Sequence, residues 1–334
     1  MGVQVAVVGA GMMGHGIALQ CAFAGTNVAL TDQDPARLES AQAWMEGDLR
    51  ILQEHGLAPS QIPFQLSERV SFVAILDQAV TKAQFVFEAV YEDLDTKQSV
   101  FRVLDKNAPS KAVLATTTSS LRVADIAAVV SDPSRVIGAH WANPPHILPL
   151  VEVVLGPATS DEIHISLLAF LKKIGKVPVS CRDVPGYIVN RLQYAMLNEA
   201  ISLVERGLTT PEDVDEAVRH GFGIRLACKG PFEWNDILHD ADITLNIFQN
   251  LYKAEGNPKF EPSPWLLDRL KRGELGLSTG KGWRDYEGRS RDEILQERDT
   301  VVLRMVRALR DLGIIQGVPA GKANLTCPPP SGPC

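Results

Sequence analysis

The sequence predicts an α/β chain: a doubly wound, mostly parallel sheet followed by an all-α C-terminal domain. Three observations predict it. Val3 to Val8 is an apolar strand that runs straight into Gly9-Ala10-Gly11-Met12-Met13-Gly14, a helical pattern and a second strand. Short apolar runs then alternate with helical segments as far as Cys181. From Gly186 to about Arg310 the periodicity is helical throughout, without strand alternation. These features place a sheet domain at 1–183, a helical domain at 184–315 and a disordered tail, rich in Pro and Gly, at 316–334.

Composition bounds the function. The 334 residues are enough for two cores, and 45% apolar with 22% charged residues describes a soluble globular protein. A net charge of -7 without a basic cluster argues against nucleic-acid and membrane-surface partners and leaves a small-molecule substrate. No apolar run reaches transmembrane length, and a strand starting at residue 3 leaves no room for a signal or transit peptide. Cys21, Cys181, Cys228, Cys327 and Cys334 form no CxxC pair, so a zinc or disulfide framework is not expected, and no metal site is assigned. A reducing cytoplasm is the expected compartment.

In chain order, the first strand, the glycines, a helix over His15–Ala24 and the strand Asn27–Thr31 end on Asp32, 18 positions after Gly14. That is the dinucleotide-binding arrangement of a Rossmann-type sheet. Gly9 permits the tight turn, Gly11 lets backbone approach a pyrophosphate, and Gly14 lets helix pack on strand, with Met12 and Met13 completing the turn. The helix N-terminus offers unpaired N–H groups to phosphate. Asp32 should accept from ribose hydroxyls and repel a 2'-phosphate, which favours NAD over NADP. Pro35–Gly56 reads as one helix with Leu38, Ala41, Trp44, Leu49 and Leu52 as its apolar stripe. Gln84–Ala89 and Ala112–Thr116 are further core strands, the second delivering Thr117, Thr118 and Ser119 to the sheet's carboxyl edge, where ligands of such sheets bind.

Val136, Ile137, Gly138 and Ala139 read as a buried strand with His140 at its exit, and Leu150–Leu155 as the next strand with Glu152 inside it. A carboxylate there needs a partner, and a histidine on the neighbouring strand end can supply one. An imidazole oriented by a carboxylate is a general base that works near neutral pH, and the same pair can equally be a structural hydrogen bond. Glu162–Gly175 is a helix and Val177–Cys181 the last strand. Tyr187–Glu205 is a helix apolar on more than one face, which predicts burial between the protomers of a homodimer. Thr210 caps a helix from Pro211, Gly221–Pro231 is a break that should line the cleft, and Arg291–Leu312 is a final charge-laced helix. His15, beside the glycine turn, and His146, in a loop, are lesser site candidates.

Thr118-Ser119-Ser120-Leu121, the run His140…Asn143-Pro144…Glu152, and Pro185-Gly186-Tyr187-Ile188-Val189-Asn190-Arg191 occur in the order and spacing of the 3-hydroxyacyl-CoA dehydrogenase family. Gly276–Tyr286 resembles that family's C-terminal Gly-Lys-Gly-aromatic signature, so the resemblance covers roughly residues 1 to 290. Within the family, Asn190–Ala195 and Leu203–Gly207 look most like the lambda-crystallin and L-gulonate 3-dehydrogenase branch. The resemblance implies an NAD-dependent dehydrogenase interconverting a 3-hydroxy and a 3-oxo group. It implies His140 as base, Glu152 as its orienting carboxylate, and Ser119 and Asn190 as hydrogen-bonding partners of the substrate oxygen, with Asn143 beside them. Glu92 and Lys97, read here as lying on a helix opening, match positions that reach the nicotinamide ribose side of NAD. Thr117 stands where most relatives have Asn, and Trp141-Ala142 where many have two phenylalanines.

Two departures bear on the substrate. Residues 35–70 hold three arginines, no lysine and five acids, a poor surface for the phosphates of CoA. Arg225, within Gly221-Phe222-Gly223-Ile224-Arg225, stands where CoA-specific relatives are usually uncharged and could clamp a free carboxylate; otherwise it pairs with an acid such as Glu205 or Asp215. A small free 3-hydroxy acid is therefore the expected substrate class. An (S)-3-hydroxyacyl-CoA, a reductase of unusual carbonyls or imines, and a non-catalytic crystallin-like NAD(H)-binding protein are the alternatives.

Overall fold

The computed structural model describes residues 4–58 and 66–315. Val3, the Cys327 and Cys334 thiols and the tail at 316–334 lie outside the described residues. The chain divides into two compact units, Met1–Leu197 and Asn198–Cys334.

The first unit is built on eight strands: β1 (Gln4–Val8), β2 (Asn27–Thr31), β3 (Val70–Val73), β4 (Phe85–Glu88), β5 (Val113–Thr116), β6 (Val136–Trp141), β7 (Leu150–Leu155) and β8 (Val177–Arg182). They lie in the order β3-β2-β1-β4-β5-β6-β7-β8. All neighbouring pairs are parallel except β6 and β7, so β7 and β8 run against the rest. The central strands read as continuous apolar runs because helices cover both faces. Successive residues divide between the two faces with period two. Val5, Val7, Phe85, Phe87, Val113, Ala115, Ile137 and Ala139 pack in one core with helices α1 (Met12–Phe23) and α2 (Pro35–Glu54) and the helix Asp161–Lys173. Ala6, Val8, Val86, Leu114, Val136 and Val154 pack in the other, against Phe101 and Leu104 of the helix Leu94–Asn107.

In several places the structure departs from the sequence reading. β3 was not expected; Val70, Phe72 and Val73 are apolar, but a run of four residues is too short to show a period. α1 begins at Met12 rather than His15, so the glycine turn feeds directly into helix. On α2 the buried stripe runs through Met45, while Trp44 is 47% exposed. The helix expected from Tyr187 starts at Val189, because Tyr187 itself has φ 47°.

The second unit is helical, with helices Pro211–His220, Phe222–Cys228, Pro231–Leu238, Ala241–Glu255, Pro264–Lys271 and Arg291–Asp311. Thr210 accepts from Asp213 N as a helix cap. The stretch 221–231, expected as a break, is instead helix over Phe222–Cys228, interrupted only at Lys229 and Gly230 before Pro231 opens the next helix. A small core of Ile237, Leu277, Tyr286 and Ile294 is organised around buried Asp236, which accepts from Trp283 N (2.8 Å), Arg284 N (2.9 Å) and the Tyr286 hydroxyl (3.2 Å). No helix among the described residues is long and apolar enough to cross a membrane.

Candidate active site

The strand order reverses between β1 and β4, and ligands of such sheets bind in the crevice at the carboxyl ends of the strands at that reversal. Gly9 closes the turn after β1 with φ 102°, and a Cβ there would lie 2.5 Å from Ala89 O at the tip of β4. At Gly14 a Cβ would fall 1.7 Å from Gly9 O, so α1 can sit on the turn only without a side chain. Gly11, by contrast, faces open space, and the 67%-exposed Met12 flanks it. This is a cradle for phosphate at a helix N-terminus. Asp32, at the end of β2, accepts from Ala10 N (2.8 Å) and Asp34 N (3.0 Å), which locks its carboxylate to the turn. The residues therefore fit NAD, as the sequence reading expects.

A second carboxylate centre lies past β4. Glu92 is in the loop before the helix Leu94–Asn107, whose cap is Asp93, rather than on the helix. Its Oε1 accepts from Thr118 Oγ1 (2.6 Å), Ser119 N (2.9 Å), Ser120 N (3.0 Å) and Ser120 Oγ (2.9 Å). Burial would raise its carboxyl, but those bonds and the Lys97 ammonium outweigh burial and hold it at about 2. Lys97 Nζ lies 3.3 Å from Glu92 and 2.8 Å from Glu88, which the sequence reading placed in a core strand without a role at the site. Glu88 is fully buried and also accepts from Val90 N (2.8 Å) and Thr116 Oγ1 (2.6 Å). With only 1% of its surface exposed, Lys97 supports Glu92 from inside the fold. The missed signal was Glu88 at the end of an otherwise apolar strand, where a carboxylate requires a cation. Thr117 N donates to Glu88 O (2.9 Å) and sits half-buried at the same edge.

The antiparallel register of β6 and β7 sets His140 directly opposite Glu152. His140 Nδ1 lies 2.7 Å from Glu152 Oε2, and Glu152 is 1% exposed. The other oxygen, Oε1, accepts from Ile188 N (2.8 Å) and Val189 N (3.0 Å). Burial pushes this carboxyl up, but the bonds from His140 and the two amides hold it below the usual carboxylate range. With Nδ1 committed to a carboxylate, Nδ1 carries the proton in the neutral ring, and Nε2 is left as a lone pair. That nitrogen has no partner among the described residues.

The two amides point at Glu152 because Gly186 (φ 80°) and Tyr187 (φ 47°) both adopt the left-handed conformation. For tyrosine this costs on the order of 1 kcal/mol, offset here by burial and by the hydroxyl donating to Leu121 O (3.1 Å). Its ring centroid is 5.5 Å from that of His140. Asn190, in the first turn of Val189–Glu205, directs Nδ2 to Ser119 O at 3.5 Å, which joins these two predicted residues. Asn143 Nδ2 reaches the Met12 sulfur at 3.7 Å, next to the glycine turn. Trp141 is buried against Phe87 on the core side of β6. His15 and His146 are drawn together at Asp48.

Arg225, within the second unit, lies on Phe222–Cys228 with its guanidinium 6.0 Å from the centre of the Trp234 ring. Its backbone carbonyl accepts from the Trp234 indole. Neither Glu205 nor Asp215 pairs with it, and among the described residues it makes no ion pair.

Comparison with known proteins covers nearly all the described chain. The NAD binding domain of 3-hydroxyacyl-CoA dehydrogenase matches residues 4–184, and that family's C-terminal domain matches residues 186–286. A probable 3-hydroxybutyryl-CoA dehydrogenase of Bacillus subtilis is 37% identical over 284 residues, 85% of this chain and 97% of that protein. The 5-formyl-3-hydroxy-2-methylpyridine 4-carboxylate 5-dehydrogenase of Mesorhizobium japonicum is 31% identical over 307 residues, 92% of this chain and 98% of that protein. The crystal structure of a 3-hydroxyacyl-CoA dehydrogenase from Archaeoglobus fulgidus superposes with TM-score 0.76 at 34% identity, over 94% of this chain and all of the other.

Proposed function

Because the chain belongs to the 3-hydroxyacyl-CoA dehydrogenase family and is an NAD-dependent oxidoreductase acting on CH–OH, we propose that it interconverts a 3-hydroxy and a 3-oxo group on a small substrate bearing a free carboxylate. The observation that carries the chemistry is the His140–Glu152 pair, 2.7 Å apart at Nδ1, with Nε2 unengaged.

Bound NAD supplies the acceptor for the hydride released from the substrate's C3. The turn Gly9–Gly14 would hold its phosphates, Asp32 its adenosine ribose, and the edge carrying Glu92 and Thr117 its nicotinamide end. His140 Nε2 takes the proton of the 3-hydroxyl as the C–O bond becomes a carbonyl, and Glu152 stabilises the resulting imidazolium. The Ser119 hydroxyl and the Asn190 amide donate to the substrate oxygen, where charge changes most between alcohol and ketone. Lys97, bonded to Glu88 and Glu92, is a positioning residue: it holds the loop whose amides include Ser119 N.

Three observations support the free acid. Arg225 makes no ion pair with a carboxylate among the described residues. The relative acting on a pyridine 4-carboxylate aligns over more of the chain (92%) than the Bacillus relative (85%). The 35–70 stretch is poor in cations. The resemblance of Asn190–Ala195 and Leu203–Gly207 to the lambda-crystallin and L-gulonate branch supports the same reading. The acyl-CoA reading is favoured by the higher identity, 37%, to the Bacillus protein.

Measuring kcat/KM for a 3-hydroxy acid and for its CoA thioester, in the parent and in Arg225→Met, separates the two. A carboxylate clamp requires a loss of roughly tenfold or more on the free acid and little change on the thioester. Equal losses on both mean a structural arginine. A parent active only on the thioester overturns the free-acid class.

A further inference from the structure

We infer that His15, Asp48 and His146 form a binding site for a divalent transition-metal ion of the zinc or cobalt type, separate from the His140–Glu152 pair. The three residues come from distant parts of the first unit: the first turn of α1, the middle of α2, and the loop between β6 and β7. One ligand atom from each lies within 4.8 Å of the other two. His15 Nε2 is 3.1 Å and His146 Nε2 is 3.6 Å from the same oxygen, Asp48 Oδ2. Ligands at zinc's usual bond lengths on a tetrahedron stand about 3.3–3.4 Å apart, so both measured edges lie within a few tenths of an ångström of that value.

The hydrogen bonding of His15 supports a cation here. Its Nδ1 is 2.9 Å from Gly11 O, and a carbonyl can only accept, so Nδ1 carries the proton. In the neutral ring Nε2 is then a bare lone pair directed at a carboxylate oxygen, an arrangement that is repulsive unless a positive charge lies between. An Nδ1–H bonded to a backbone carbonyl is also the outer-shell support that metal-ligating histidines normally have. His146 is fixed by a different device. Its Nδ1 packs against Gly16, where a Cβ would come within 2.9 Å of it, and that nitrogen is buried without a partner among the described residues. The loop bearing it is tied down by Lys176, whose Nζ donates to Pro145 O (2.7 Å) and Leu148 O (2.9 Å). The side chains of His15 and His146 are each 9% exposed and that of Asp48 is 23% exposed, which leaves the carboxylate side as the route of entry and a place for a water as fourth ligand.

Two imidazoles and one carboxylate select borderline ions over magnesium or calcium, which prefer all-oxygen sites. Sequence spacing could not reveal the set, because residues 15, 48 and 146 share no motif. With no partner for His146 Nδ1 among the described residues, the site should be weaker by about 10–100-fold than one with a complete outer shell.

The test uses the full-length, tag-free chain, stripped with a chelator and titrated with cobalt(II) while the visible absorption spectrum is recorded. The expected result is one equivalent bound with the intense bands of a four- or five-coordinate ion. Those bands should be lost, or the affinity reduced at least roughly tenfold, in Asp48→Asn and in His146→Gln. Circular dichroism verifies that both variants are folded, and the parent's unfolding midpoint should rise with zinc while the variants' do not. Absence of the bands at millimolar cobalt, or equal binding by parent and both folded variants, overturns the site and leaves Asp48 neutralised by protonated histidine alone.

Discussion

Replacing Glu152 by glutamine tests the catalytic reading most sharply, because the structure dictates which way the new side chain must face. Glu152 Oε1 accepts two backbone amides, at 2.8 and 3.0 Å. In Glu152→Gln only the amide oxygen can occupy that place, since an NH2 there would oppose two N–H groups and leave buried donors unpaired at about 1–3 kcal/mol each. The glutamine NH2 is therefore turned towards His140 Nδ1, 2.7 Å from the present Oε2. Nδ1 must then accept, so the proton moves to Nε2, the nitrogen required as base. The imidazolium also loses its carboxylate. General-base catalysis contributes about 10²–10⁴-fold, so kcat should fall by that factor, or ~3–5 kcal/mol in barrier. Nothing in the glycine turn or at Asp32 touches Glu152, so NAD affinity should stay within about twofold. The assay is steady-state formation of reduced nicotinamide, with NAD binding titrated separately and thermal unfolding recorded to confirm a folded variant. A folded Glu152→Gln enzyme with kcat within roughly threefold of the parent would refute the tautomer argument and reduce the pair to a structural bond.

Other expectations follow from the same geometry. The parent should bind NAD more tightly than NADP, and Asp32→Ala should erase that preference; equal or tighter NADP binding by the parent in a direct titration removes the role given to Asp32. Glu92 is held at about 2 against an ordinary 4.5, so its contribution to stability is complete above pH 4.5 and is lost as pH falls towards 2. The unfolding free energy of the parent should therefore converge on that of Glu92→Gln across this window, and parallel denaturation curves would contradict it. Leu192 and Tyr194 are each 60% exposed and Ile201 is 47% exposed on Val189–Glu205, an apolar surface that a homodimer would cover. Sedimentation should show a dimer in the parent and a shift to monomer in Leu192→Asp; a parent that is a stable monomer at micromolar concentration contradicts the dimer.

Much of the first unit was legible because its signals are local and periodic. A strand covered on both faces must be apolar along its length, and β1, β4, β5, β6 and β7 could be read that way to within a residue or two. The glycine turn was legible because the steric demands at Gly9 and Gly14 admit no side chain. β3 escaped because a run of four residues, three of them apolar, is too short to carry a period. The helix Phe222–Cys228 was mistaken for a break because Gly221 and Gly223 are poor helix formers, a weak local preference that its packing overrides.

The site itself was legible in its parts but not in how they are held. That His140 and Glu152 would meet could be argued from one histidine and one costly carboxylate on successive strands. Their face-to-face pairing depends on β7 reversing direction beside β6, and no local pattern in Leu150–Leu155 distinguishes antiparallel from parallel pairing. The supports were harder still. Tyr187 looks like the first residue of a helix, yet it is a left-handed turn residue, and that conformation is what delivers two amides to Glu152. Glu88 looks like the polar end of a strand, yet it is the inner partner of Lys97. The first role arises from contacts 36 and 37 positions apart, and the second from a cation nine positions on, beyond the strand that carries Glu88. The reacting groups can be swapped one at a time and recognised by type, whereas the strained turn and the buried Glu88–Lys97–Glu92 cluster function only as sets. A variant library over Gly186, Tyr187, Glu88 and Lys97 should accordingly show strong non-additivity within each set and near-additivity between the two.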